Sequence, residues 1–91
     1  MQNAGADAYN VAVGYNAGVA VTTGGSNILI GGLAGDALTT GANNVAIGQG
    51  ALGTEDATGR VVAIGFGALA TQNTAANSYN VALGYNASTL S

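Results

Sequence analysis

NVAIGQGALG, residues 44–53, carries Gly48, Gly50 and Gly53 directly after a strand-like run. That is a literal G-x-G-x-x-G, the spacing of a dinucleotide-binding loop. The surroundings of the motif argue against that reading. A sister segment at 65–70, GFGALA, lacks the third glycine, and GGLAGD at 31–36 does not match the spacing. A dinucleotide fold also needs a helix after the loop, inside a βαβ unit of roughly 30 residues. The segment belongs instead to a shorter period that runs through the whole chain.

NVAVG (10–14), NILIG (27–31), NVAIG (44–48), VVAIG (61–65) and NVALG (80–84) align on their closing glycines, which are 17, 17, 17 and 19 residues apart. Three residues after each glycine stands an alanine: Ala17, Ala34, Ala51, Ala68 and Ala87. The longer last spacing places a two-residue insertion within 71–79. Residues 1–91 therefore form a single repeat domain with coils starting near residues 10, 27, 44, 61 and 80. Its glycines answer to a period, not to a phosphate.

Composition narrows the function. Ninety-one residues make one domain at most. The chain has no Cys, His, Pro or Trp, its single cation is Arg60, and the formal net charge is −3. Nucleic-acid binding needs a basic footprint that one arginine does not supply. General acid–base and nucleophilic catalysis recruit His, Lys or paired carboxylates, so no enzyme activity and no cofactor are expected. No stretch approaches 18 apolar residues, so no membrane insertion is expected. MQNAGADAYN (1–10) lacks the basic and apolar regions of a signal peptide, which suggests a piece of a longer chain or a product exported without one. Only 5% of residues are charged while 48% are hydrophobic, a fibre-like composition.

Each repeat opens with a five-residue strand. Val11 and Val13, Ile28 and Ile30, Val45 and Ile47, Val62 and Ile64, and Val81 and Leu83 alternate onto one face. The intervening column is Ala12, Leu29, Ala46, Ala63 and Ala82, so the opposite face is apolar and mostly small. A strand apolar on both faces must be covered on both. Seventeen residues are too few for a helix pair and suit one coil of a parallel β-solenoid, stacked about 4.8 Å above the last. The glycine would turn the corner, the segment after it would be a return strand, and TTGGS and TTGAN supply turn chemistry. Asn10, Asn27, Asn44 and Asn80 share one column, broken by Val61, and predict a stacked amide ladder. The alanine column is expected on the axis of a homotrimer, where small side chains allow close approach. Leu29 is the misfit of that column.

N-[VI]-[AL]-[VIL]-G followed by x-x-Ala resembles the head repeats of trimeric autotransporter adhesins of the YadA type. YNVAVGYNA (9–17) and YNVALGYNA (79–87) are closer still to repeats in bacteriophage tail fibres and related virion proteins. The resemblance covers nearly the whole chain. It implies an all-β fold, a left-handed β-roll of about five 17-residue coils, assembled as a homotrimer and serving as a shaft or head in host attachment. Adhesin heads typically have shorter repeats, so the period of 17 favours the phage-fibre branch. It implies a place on a virion or a cell surface and a cell-surface glycan or protein as receptor. The near-identical first and last coils also raise end-to-end self-association into a filament.

Outside the columns, charge gathers in TEDATGR (54–60), where Glu55, Asp56 and Arg60 are candidates for surface contact or for a solvated turn with a weak salt bridge. The pair falls short of the six to eight oxygens calcium usually takes, so no metal is expected. Tyr15, Phe66 and Tyr85 follow the strand glycine, while Tyr9 and Tyr79 precede the asparagine. Such columns fit rigid packing between coils or chains, or a surface contact with a sugar.

Overall fold

The protein is described by a computed structural model for residues 9–53, 59–70 and 79–87. Its strands are β1 (Val11–Val13), β2 (Ile28–Ile30), β3 (Val45–Ile47), β4 (Val62–Ile64) and β5 (Val81–Leu83). They form one parallel sheet in sequence order. Val11 lies opposite Ile28, Ile28 opposite Val45, Val45 opposite Val62 and Val62 opposite Val81. The chain is thus an all-β solenoid of about four turns. Even the 19-residue circuit keeps the register, so its two extra residues are absorbed outside the sheet.

The strands are three residues long, shorter than the five expected, because the asparagine and glycine on either side serve as corners. The Gly31 φ is +128°, a conformation that residues with a Cβ rarely adopt. A Cβ on Gly31 would also lie 2.6 Å from the Gly48 carbonyl carbon of the next coil. Two independent constraints, torsion and stacking, therefore require glycine in this column.

The segment after the corner is not the return strand that the sequence suggested. It is a run of turns. Ala17, Ala34, Ala51, Ala68 and Ala87 each donate their N–H to the carbonyl of the glycine three residues back, at 3.1–3.2 Å. One position further on, Gly18 donates to Ala34 O at 3.0 Å, Gly35 to Ala51 O at 2.8 Å, Leu52 to Ala68 O at 2.9 Å and Leu69 to Ala87 O at 2.8 Å. The wall is laced to the coil above without extended backbone. Left-handed torsions make this possible: Leu52 has φ 57° and Leu69 φ 52°. Each costs roughly 1–2 kcal/mol for a residue with a Cβ.

The two faces of the sheet are the reverse of what the sequence suggested. Leu29, Ala46 and Ala63 are completely buried and Ala82 is 4% exposed, all inside the coil, with Ala12 packed against the same cluster. The alanine column therefore lines the lumen and is not available to an assembly axis. The β-branched residues face outward. The physical reason is the width of the coil. Leu52 and Leu69, turned inward by their left-handed torsions, fill the lumen from the opposite wall and leave room only for a methyl group on the strand. A flat outer sheet face suits Val and Ile.

Leu29 now has a reason. In coils three and four an alanine on the strand (Ala46, Ala63) accompanies a leucine on the turn wall (Leu52, Leu69). In the second coil the sizes are exchanged: Leu29 stands on the strand, and Gly35 occupies the wall position. A Cβ on Gly35 would lie 2.8 Å from Leu29 Cδ2, and one on Gly18 would lie 2.8 Å from Leu29 Cδ1. One leucine fills the space above both glycines, and packing stays close in every layer. Leu29→Ala should cost about 2–5 kcal/mol through the cavity it opens. Adding Gly35→Leu to that variant should restore part of the loss, whereas Gly35→Leu alone should destabilise. Urea unfolding of the three variants measures the coupling.

Candidate functional site

Among the described residues, the outward face of the sheet is an apolar surface that the fold leaves uncovered. Its ten positions, Val11, Val13, Ile28, Ile30, Val45, Ile47, Val62, Ile64, Val81 and Leu83, are all aliphatic and none is charged. In the middle of the stack the side chains shield one another, and Ile30 is 36% exposed. At the end of the stack Leu83 reaches 73%. Five rows enclose four steps of about 4.8 Å, so the face is roughly 19 Å tall along the stack, and its width is that of the three-residue strand with its two corners. A continuous apolar patch of that size marks a contact surface more often than bare solvent-exposed protein.

What holds the face flat is the asparagine column at its entry corner, and here the expected amide ladder is present. Asn10 Oδ1 accepts from Asn27 N at 2.8 Å, Asn27 Oδ1 from Asn44 N at 3.0 Å, and Asn44 Oδ1 from Val61 N at 3.1 Å. The amide nitrogens of Asn10 and Asn27 donate to Gly24 O at 2.9 Å and Gly41 O at 3.0 Å. Asn27 and Asn44 are fully buried. Asn10 and Asn27 therefore each bond twice to the coil above, once to a backbone donor and once to a backbone acceptor, while Asn44 Nδ2 donates to Asn27 Oδ1 at 3.1 Å. An amide does both at once, with its acceptor oxygen and donor nitrogen on separate atoms. Val61 donates its backbone N–H to Asn44 Oδ1 of the coil below but has no side-chain oxygen for the coil above. The column is a structural clamp in the described residues.

Two aromatic-bearing columns border the face. On the exit side, Tyr15, Phe66 and Tyr85 are exposed, and the Phe66 and Tyr85 rings stack with centroids 5.1 Å apart and planes 10° apart. On the entry side, Tyr9 and Tyr79 are exposed and Arg60 lies over the Tyr79 ring, 5.9 Å from its centroid. An exposed contact of that kind is worth roughly 0.5–1 kcal/mol. The sequence grouped Arg60 with Glu55 and Asp56, which lie outside the described residues. The structure joins it to Tyr79 instead. The signal was present in the sequence: Arg60 and Tyr79 both stand immediately before the first residue of a repeat, one repeat apart. The two borders are separate, and no single site gathers Arg60, Tyr15, Phe66 and Tyr85.

Comparison with protein-family models, with curated proteins and with solved structures returns no match. Asn27→Ala removes the donor to Gly41 O and the acceptor for Asn44 N, and should destabilise by on the order of 2–3 kcal/mol. Thr22→Ala, in an exposed 3.3 Å hydrogen bond to Thr39 O, should change stability by under about 0.5 kcal/mol. Thermal unfolding of both variants against the parent provides the check.

Proposed function

We propose that the chain is a structural module of a fibre: a left-handed β-roll, assembled as a homotrimer, that forms the shaft or head of a phage tail fibre or similar virion appendage in host attachment. The observation that carries this reading is the outward face. Ten aliphatic side chains in five in-register rows, without a charge among them, form a surface that water disfavours and that another copy of the same surface suits. The resemblance of YNVAVGYNA and YNVALGYNA to fibre repeats supports the same reading. The module acts by shape and display, not by catalysis, with a cell-surface glycan or protein as the receptor.

The packing of the faces moves the proposed assembly surface from the alanine column to the Val and Ile columns. The head of a bacterial trimeric adhesin is the second reading, favoured by the same N-V-A-[IL]-G unit. A membrane-anchored β-barrel encoded downstream in the same gene would distinguish it from a virion fibre.

Light scattering coupled to size exclusion tests the assembly. The parent chain should give the mass of three chains. Ile47→Glu, in the middle of the outward face, should give the mass of one while keeping the parent circular-dichroism spectrum. Ala46→Glu should instead unfold the chain, since it buries a carboxylate in the lumen. A single-chain mass for the parent across the accessible concentration range would overturn the reading.

A further inference from the structure

The two borders of the outward face match each other row by row. Each entry-side residue stands six positions before an exit-side residue of the same coil, at the same height in the stack. In the first row the pair is Tyr9 and Tyr15, and in the last row Tyr79 and Tyr85, aromatic with aromatic. The second row pairs Ser26 with Gly32, the two smallest residues of their columns. The third pairs Asn43 with Gln49, amide with amide. The fourth pairs Arg60, the only cation of the chain, with Phe66. All five entry-side residues are exposed, and so are all the exit-side residues except Gly32, which is half-buried.

Within one chain these pairs do not meet, because the strand and the corners at both of its ends separate the two borders. In a closed ring whose axis runs along the coil stack they do. Every copy then presents its rows at one height, and the entry border of one copy meets the exit border of the next. We propose that the partner of this face is a second copy of the chain in parallel orientation, with residue i of one copy beside residue i+6 of its neighbour. The inference rests on the assembly reading above and adds its orientation and register.

Other registers lose the match. A slide of one coil sets Tyr9 against Gly32 and Asn43 against Phe66. An antiparallel pair keeps like with like in the outer and middle rows. It also sets Arg60 against Ser26 and Phe66 against Gly32, so the cation gains no aromatic ring from the neighbour and bulk meets backbone. Only the parallel, in-register seam satisfies all five rows. The fourth row, a guanidinium against an aromatic ring, gives it direction.

Cysteine cross-linking reads the seam directly, since the chain has no cysteine of its own. The double variant Ser26→Cys with Gly32→Cys should form disulfides under mild oxidation. The double variant Asn43→Cys with Gln49→Cys should react with a short bis-maleimide. Within one chain either pair is too far apart to bridge, because disulfide-bonded Cα atoms lie within about 7 Å. Covalent three-chain rings from either pair, with the parent circular-dichroism spectrum, uphold the proposal.

Covalent dimers from Asn43→Cys alone would mean an antiparallel pair and overturn it. So would efficient linking of the off-row pair Asn43→Cys with Phe66→Cys. A three-chain mass by light scattering without in-row links overturns the seam and leaves the trimer standing. In-row links that stop at two chains uphold the seam and overturn the count of three. A single-chain mass with no links overturns both.

Discussion

Among the described residues the coils are joined by hydrogen bonds between positions about one repeat apart, and the strands stack with equivalent residues opposite one another; that in-register stacking is the constraint on which the rest depends. Whatever occupies a column has to tolerate copies of itself about 4.8 Å above and below. A glycine corner tolerates this because only hydrogen projects toward the next carbonyl. A buried asparagine tolerates it because its amide oxygen accepts and its amide nitrogen donates along the column. A charged column would not, since like charges at that spacing oppose one another. The low charge of the chain and the uniformity of its columns follow from the same cause.

Closing a circuit in 17 residues imposes a second demand. Among the described residues, the backbone takes positive φ at four positions in each of the first four coils: before the first residue of the repeat, at the strand-end glycine, and at two points on the turn wall. Glycine and asparagine fill many of these positions, including Gly14, Asn16, Gly18 and Asn43. Leu33, Leu52, Leu69, Arg60 and Tyr79 fill others with no intrinsic preference for the conformation. Their torsions are held by the stack, as where Leu33 N donates to Tyr15 O at 2.8 Å. Local strain is offset by bonds to the next coil and by the leucine side chains that the strained backbone turns into the lumen.

These demands divide the molecule into an inside and an outside with different tasks. The lumen is narrow and filled by size exchange, with Leu29 against Gly35 in one layer and Ala46 against Leu52 in the next. The outside is a flat aliphatic sheet with polar and aromatic borders. That division is what the proposed fibre role would use: an interior that makes each coil rigid, and a lateral surface open to a second copy.

The sequence by itself determined the repeat, the place of each strand, the corner glycines, the asparagine ladder and the all-β solenoid. All of these depend on which residue recurs at which interval, and a period survives without coordinates. The tertiary structure decided which face of each strand is the interior. Val45 and Ala46 are both apolar, and alternation says only that they point opposite ways. Their sense is set by Leu52, whose left-handed torsion and inward side chain leave a methyl-sized space on the facing wall. The turn conformation of the return segment, the role of Leu29 and the meeting of Arg60 with Tyr79 were decided in the same way. Each depends on contacts between residues that only the closed coil brings together.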